Sequence, residues 1–208
     1  MRTIFSWLVL CIFILYSGIS HAGGEHQRRF TVELALVAGD SRLLAFVKLS
    51  KEKRRWIKNR ITGAINVLPL LARYSFQESG QTNPELVIKL HDLKKLLDAP
   101  EKKLYKAAQS LANKYQITFP LVLLQKLNST SKNQIAKRYK KLCFGCHDVP
   151  SLESSVVIGG FASFSRSMSQ EEWLARLLGG LHGDAYTGFE NPFSDREVAM
   201  LFSYIREL

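Results

Sequence analysis

The chain lacks any apolar run long enough to cross a membrane as a helix. Its longest apolar run extends from Ile4 to Tyr16 and falls short of the roughly 20 residues that a membrane-spanning helix needs. The run follows the positive charge of Arg2 and precedes residues 20–22, which end in alanine as a signal-peptidase site does. These features predict a signal peptide over residues 1–22, with cleavage after Ala22 and export to the periplasm, rather than an uncleaved anchor.

Cysteine is scarce, and its few positions exclude most sites that are built from it. Cys11 lies inside the apolar run after Leu10, where a lipoprotein cleavage site requires a small residue, so we expect it to leave with the signal peptide. The mature chain then keeps Cys143 and Cys146, and a disulfide between such close positions occurs at only a few redox-active sites. A thioredoxin-like pair requires a βαβ context and a zinc site requires a second pair of ligands; the sequence has neither.

Acidic residues are few in the first two thirds of the mature chain. Residues 23–142 contain 24 lysines and arginines but only 9 aspartates and glutamates, a balance of +15. Residues 143–208 contain 4 basic and 9 acidic residues, a balance of −5. Such asymmetry predicts two regions with different roles. Because an exported protein does not meet nucleic acid, we expect the basic region to face an acidic protein or anionic lipid.

Strand-forming patterns are also rare, and the hydrophobic periodicity favours a mostly α chain. One segment, Phe30–Val37, alternates and is rich in β-formers, so it predicts a single short strand followed by a turn at residues 39–41. Residues 43–76 show helical spacing, with Trp56 counted among the apolar positions and Pro69 expected to kink or divide the helix. Further helices are predicted over residues 84–98 and 100–115.

A polar cluster at residues 128–131 predicts a boundary between two regions. The first, residues 23–128, is a basic, mainly helical region of unknown role. In the second, residues 129–208, helices are predicted to begin at Lys132, at Gln170 and after the capping pair Ser194-Asp195.

The second region contains Cys143-Phe-Gly-Cys-His147, the attachment signature of c-type haem. The spacing suits that chemistry because two thiols add to the two vinyl groups on one edge of the porphyrin, and the following imidazole reaches the iron. Random placement of 3 cysteines and 5 histidines would produce this pattern in about one such chain in a thousand. The motif therefore predicts one covalent haem c, held by Cys143 and Cys146, with His147 as the proximal iron ligand.

Residues 129–208 resemble a class I cytochrome c domain, the family of small helical electron carriers of the periplasm. The resemblance rests on Tyr139 four residues before Cys143, on the haem motif, on Pro150-Ser-Leu152 and on the last helix, residues 194–205. It implies that the carbonyl oxygen of Pro150 accepts a hydrogen bond from the proximal histidine.

The same resemblance implies that the first and last helices of this domain cross beside the haem. In the family, an aromatic residue of the last helix packs against a small residue of the first helix. Tyr204 matches the aromatic residue, whereas the small residue falls at Ile135 or is shifted to Ala136. Tyr204 is therefore expected to contribute to the haem site.

Methionine is missing from the loop in which this family usually supplies the second axial ligand. That loop, residues 179–193, contains His182 between glycines, and Met168 precedes it. We therefore predict His182 as the distal ligand, with Met168 as the alternative and a vacant position or Tyr186 after them. A thioether ligand raises the iron potential, a second imidazole lowers it, and a vacant position admits small ligands.

These features predict an electron carrier rather than an enzyme, because one haem without a protein nucleophile or acid–base pair needs only a tuned potential and an exposed edge. The expected partner is an acidic redox protein or a membrane-bound oxidoreductase, with an anionic membrane surface as a further candidate. Two alternatives stay open. The first is a five-coordinate haem protein that binds or reduces peroxide or a nitrogen oxide, and the second is a docking module that works through its basic region.

Overall fold

The computed structural model describes residues 24–117, 119, 127–144, 161–180 and 193–208. These residues form eight α-helices and one 3₁₀ turn, Leu96–Asp98, and no β-strand occurs among them, so the prediction of a mostly α chain is confirmed. The helices are α1 (Glu25–Phe46), α2 (Lys51–Ser79), α3 (Pro84–Lys95), α4 (Glu101–Lys114), α5 (Ser129–Leu142), α6 (Phe161–Arg166), α7 (Gln170–Gly180) and α8 (Asp195–Glu207). No helix within these ranges combines the length and the apolarity that a bilayer crossing needs.

The predicted strand Phe30–Val37 is wrong, because these residues lie inside α1, as do residues 39–41 of the expected turn. Helix α1 is covered on two sides. Phe30, Leu34 and Val37 belong to the core that α1 shares with α2 and α4, whereas Val32 lies beside α7. A helix that is buried on two sides has apolar residues at most positions, and this pattern is easily taken for the alternation of a strand.

Helix α2 continues through Pro69, so the proline does not divide it. The chain leaves the helical path earlier, at residues 47–50, where Val47 is extended. Ser50 then caps α2, because its hydroxyl accepts a hydrogen bond from the backbone N–H of Lys53 at 3.2 Å. Helix α2 ends at Gly80, whose φ of 64° lies in the left-handed region that favours glycine.

The buried apolar side chains form two clusters. Helices α1 to α4 share the first cluster, whose largest fully buried members are Leu34, Ile57, Ile61, Ile65, Leu68 and Leu90. Helices α5 to α8 share the second cluster together with Phe119, and its fully buried members include Ile135, Trp173, Leu177 and Leu201. Within the described ranges, each cluster is therefore built from helices that follow one another in sequence.

A network of buried charges lies where α1 meets α7. Asp40 of α1 is only 2% exposed, and its carboxylate accepts hydrogen bonds from Arg60 of α2 and from Arg176 of α7, the latter at 3.1 Å. Glu172 of α7 is also buried and accepts from Arg176 at 2.8 Å and from Arg42 of α1 at 3.0 and 3.2 Å. The network thus ties three helices together across the boundary between the two clusters.

Close packing supports the same contact along its length. A side chain at Gly39 would collide with Glu172, and one at Gly179 would lie 2.8 Å from Leu36. Beyond α7, the guanidinium of Arg28 holds the carboxylate of Asp195 in a two-pronged ion pair at 2.7 and 2.9 Å. Helix α1 therefore contacts helices of both clusters.

Candidate functional site

Helix α5 places Cys143, the first cysteine of the haem motif. Asn128 caps the start of the helix by accepting a hydrogen bond from the backbone N–H of Ser131 at 2.8 Å. At the other end, Cys143 follows the last helical residue, and its backbone N–H donates to the carbonyl oxygen of Tyr139 at 2.8 Å. The thiol side chain is buried in the second cluster. The position of Cys143 is thus fixed by the end of a capped helix.

Aromatic rings surround this end of α5. The ring of Tyr139 lies 5.7 Å from that of Tyr204 in an edge-to-face arrangement and 6.3 Å from that of Phe161. Phe161 in turn meets Trp173 at 5.2 Å, and the indole N–H of Trp173 donates to the carbonyl oxygen of Phe202 at 3.4 Å. Rings from α5, α6, α7 and α8 therefore converge in one apolar cluster.

Helices α5 and α8 pack together as the first and last helices of the C-terminal region. Two ion pairs join them, Arg138 with Glu197 at 2.6 Å and Lys132 with Glu207 at 2.9 Å. The earlier residue of α5 pairs with the later residue of α8, so the two helices are antiparallel. Ile135 is fully buried in this contact region.

Tyr204 contacts an aromatic residue of α5. The resemblance implied a small residue at Ile135 or Ala136 opposite Tyr204, but the ring contact of Tyr204 is with Tyr139. Ala136 is only partly buried. The crossing of α5 and α8 is therefore filled by larger side chains than the resemblance implied.

The other expected site residues divide into two groups. Met168 is buried in the same cluster as Cys143 and Tyr204, between α6 and α7. The remaining residues lie outside the part of the chain that the structure describes: Cys146, His147, Pro150, His182 and Tyr186. Within the described part, no group of three or more histidine, cysteine, aspartate or glutamate side chains comes together as a metal site.

Of the residues expected at a haem site, the structure describes Cys143, Met168 and Tyr204. Cys143 supplies a thiol at a fixed helix end, and the rings of Tyr139, Phe161 and Tyr204 supply an apolar, aromatic environment. Met168 adds a thioether, which is a known type of haem iron ligand.

The ionic network of Asp40, Glu172 and Arg176 was not anticipated from the sequence. Gly39-Asp40-Ser41 has the composition of a turn, and a turn would have left Asp40 in solvent. The signal that could have found it is the apolar residues on both sides, which continue at helical spacing from Phe30 to Leu44. Within a continuous helix, a lone aspartate flanked by buried positions requires a cationic partner.

Ser194 and Glu197 form a reciprocal cap at the start of α8. The hydroxyl of Ser194 accepts from the backbone N–H of Glu197 at 3.4 Å, and the carboxylate of Glu197 accepts from the backbone N–H of Ser194 at 2.9 Å. The backbone hydrogen bond, assisted by the Ser194 hydroxyl and by Arg138, holds the pKa of Glu197 below its ordinary value.

This lowered pKa predicts an acid-sensitive contribution to stability. The contribution is present above the ordinary carboxyl pKa and is lost as the pH falls through the lowered pKa of the folded state. We expect Glu197→Gln to reduce the free energy of unfolding by about 0.5–1 kcal/mol at neutral pH and to have a smaller effect as the pH falls below the ordinary carboxyl pKa. Urea unfolding of both proteins over this range tests the prediction. An equal difference at every pH would contradict it.

Comparison with known proteins adds no relative. No protein-family model, no curated protein and no solved structure matches this chain.

Proposed function

We propose that this chain is an exported, periplasmic c-type cytochrome with one covalent haem c, and that it carries electrons to or from a larger redox partner. The proposal rests on Cys143-Phe-Gly-Cys-His147, whose first cysteine lies at the end of α5 and is buried in the apolar cluster that contains Tyr139. Under this proposal, residues 129–208 are the haem domain and residues 23–128 are a basic helical region. The partner is an acidic redox protein or a membrane-bound oxidoreductase.

Different residues of the chain would have different roles at such a site. Cys143 and Cys146 would hold the group through two thioether bonds, and His147 would ligate the iron. Bound haem supplies a metal that accepts and gives up a single electron. The rings of Tyr139 and Tyr204, with Phe161, would exclude water from one side and so favour the less charged form of the site.

The test of the proposal is whether colour stays with the unfolded chain. The full chain should be produced in a bacterium whose periplasm carries out cytochrome c maturation, then purified and denatured. We expect the haem spectrum to remain with the polypeptide after extraction with acidic ketone, because thioether bonds survive denaturation. Haem that moves into the organic phase would overturn covalent attachment, and a colourless purified protein would overturn the cytochrome assignment itself.

The distal ligand is the second point to test. We expect the ferric protein to be low-spin without the weak sulfur-to-iron band at the red end of the spectrum, because we propose His182 as the distal ligand. His182→Ala should then give a high-spin spectrum and rapid carbon monoxide binding. Met168→Leu, which preserves the volume of a buried side chain, is the matched control and should leave the spectrum unchanged.

Three other results would assign the distal side differently. A sulfur band that disappears in Met168→Leu would identify Met168 as the ligand. A low-spin spectrum that persists in both variants would exclude both residues. A wild-type protein that is already high-spin and binds carbon monoxide rapidly would favour the ligand-binding alternative over electron transfer.

A further inference from the structure

Helix α2 carries a second apolar stripe on the side away from its core. Trp56, Val67, Leu70 and Tyr74 are 55%, 45%, 46% and 41% exposed. Their positions recur at separations of 11, 3 and 4 residues, so the four side chains project from one face of the helix. We call these four residues the outer stripe. Trp56 is one of the apolar positions that recur at helical spacing, and it lies on the exposed side of α2.

The outer stripe is distinct from the core face of α2, which presents Ile57, Ile61 and Leu68. Two contacts touch its ends: the guanidinium of Arg60 lies 4.3 Å from the Trp56 ring centre, and the ring of His26 lies 5.2 Å from that of Tyr74. Single exposed apolar residues are ordinary on protein surfaces, whereas Val67, Leu70 and Tyr74 lie within about two turns on one face of α2, and such a cluster is typical of an interaction site.

A groove between α2 and α3 continues the outer stripe. It has a volume of about 290 Å³, and Leu70 belongs to both features. Buried Ile65 and Leu90 line its inner part. Its rim is formed by the exposed side chains of Arg73, His91 and Lys94. The groove thus offers an apolar floor and a cationic edge, which suits an apolar side chain next to a carboxylate.

The charges at the edge of the groove favour an acidic occupant. Along α2, seven lysines and arginines accompany two acidic residues, Glu52 and Glu78, and three of the seven, Arg54, Lys58 and Arg60, already pair with Glu101 or Asp40. Within the described ranges, neither Arg73 nor Lys94 makes an ion pair. A second copy of this chain would bring like charges together along both edges of the contact, and such contacts are repulsive.

The shape and composition of the surface favour a protein helix over a lipid bilayer. From Trp56 to Tyr74 the stripe measures about 27 Å along the helix axis, at ~1.5 Å per residue. Tryptophan, tyrosine and arginine are the residue types enriched in protein interfaces, and all three occur here. A groove beside the stripe can receive anchoring side chains from a helix that lies along it.

We propose that the outer stripe of α2, together with the groove edged by Arg73, His91 and Lys94, is the docking surface for an acidic amphipathic helix of a protein partner. The proposal concerns protein binding and does not rest on haem attachment.

The test uses the full chain and a synthetic helical peptide labelled with a fluorophore. The peptide has about 20 residues, with leucine at core heptad positions and glutamate beside them, and a control peptide replaces glutamate with lysine. Fluorescence anisotropy measures the dissociation constants. We expect the glutamate peptide to bind in low salt and the lysine peptide not to bind.

Two variants and one control locate the contact. We expect Leu70→Asp to weaken binding of the glutamate peptide by about tenfold or more, because it places a charge in the centre of the apolar contact. Arg73→Glu should weaken it by about threefold to tenfold and reduce its salt dependence. Ile88→Asp is the matched control, because Ile88 is 62% exposed on α3 and does not line the groove, and its binding should stay within about twofold of wild type. Circular dichroism checks that every variant keeps its helix content.

Four results would overturn the proposal. They are failure of the glutamate peptide to bind, equal binding of the lysine peptide, equal weakening by Ile88→Asp and Leu70→Asp, and a dimer in sedimentation equilibrium that Leu70→Asp separates. Sedimentation with phosphatidylglycerol vesicles adds a further arm. If Leu70→Asp abolishes vesicle binding but leaves peptide binding unchanged, the surface binds lipid and not a protein helix.

Discussion

Replacement of either Cys143 or Cys146 by alanine is expected to lower the amount of covalent haem per chain by about tenfold or more. Each substitution removes one of the two proposed thioether bonds, and Cys143 lies at the end of α5, buried in the second cluster. Haem per chain is measured from the absorbance of the denatured protein after acidic ketone extraction. Unchanged haem content in either variant would contradict the proposed attachment.

A variant inside the same motif distinguishes loss of a thioether bond from disruption of the local structure. Phe144 lies between the two cysteines and is exposed, so Phe144→Ala keeps the attachment pattern and disturbs little packing. We expect it to retain nearly all of the covalent haem. If Phe144→Ala loses as much haem as Cys143→Ala, the loss reports disruption of this segment and not the missing thioether bond.

Replacement of Asp40 by alanine is expected to lower the free energy of unfolding by about 3–5 kcal/mol. Asp40 is buried, and its removal leaves Arg60 and Arg176 without the carboxylate that both contact at the junction of three helices. Arg176 keeps its ion pair with Glu172 at 2.8 Å, which places the expected loss toward the lower end of this range. Urea unfolding followed by circular dichroism measures the difference.

The matched control is an aspartate of similar chemistry on the surface. Asp92 on α3 is exposed and pairs with Lys95 at 2.8 Å within one helical turn. Asp92→Ala should change the free energy of unfolding by no more than about 0.5 kcal/mol, because exposed ion pairs contribute little. Similar losses in the two variants would show that the buried network does not stabilise the contact between α1 and α7.

The helices of this chain were predictable where local signals are strong. Ser194 followed by Glu197 marks the start of α8, and Pro84 after Asn83 marks the start of α3, because each supplies a partner or a conformation that a first helical turn requires. The apolar face of α8, with Val198, Leu201 and Ile205, follows from helical spacing alone and is buried as expected.

The strand predicted over Phe30–Val37 was wrong for a physical reason. Whether a helix is buried on a second side depends on parts of the chain that are distant in sequence. Helix α1 resembles a strand because α7 covers the side that α2 and α4 leave open. Cys143 is the reverse case, since its role follows from the local motif and its buried position follows from α5.

Helix α1 contacts helices of both clusters, so a newly synthesised chain forms the contacts of α1 in two stages. The ion pair of Arg28 with Asp195 joins residues 167 positions apart, so at synthesis rates of ~5–20 residues per second, α1 exists for on the order of ten seconds before this partner does. During that interval Val32 lacks its contact with α7 and Asp40 lacks Arg176, although Arg60 of α2 is already present. Helix α1 is consequently among the last of the described helices to be fully covered, and the incomplete chain exposes apolar surface that is prone to aggregation.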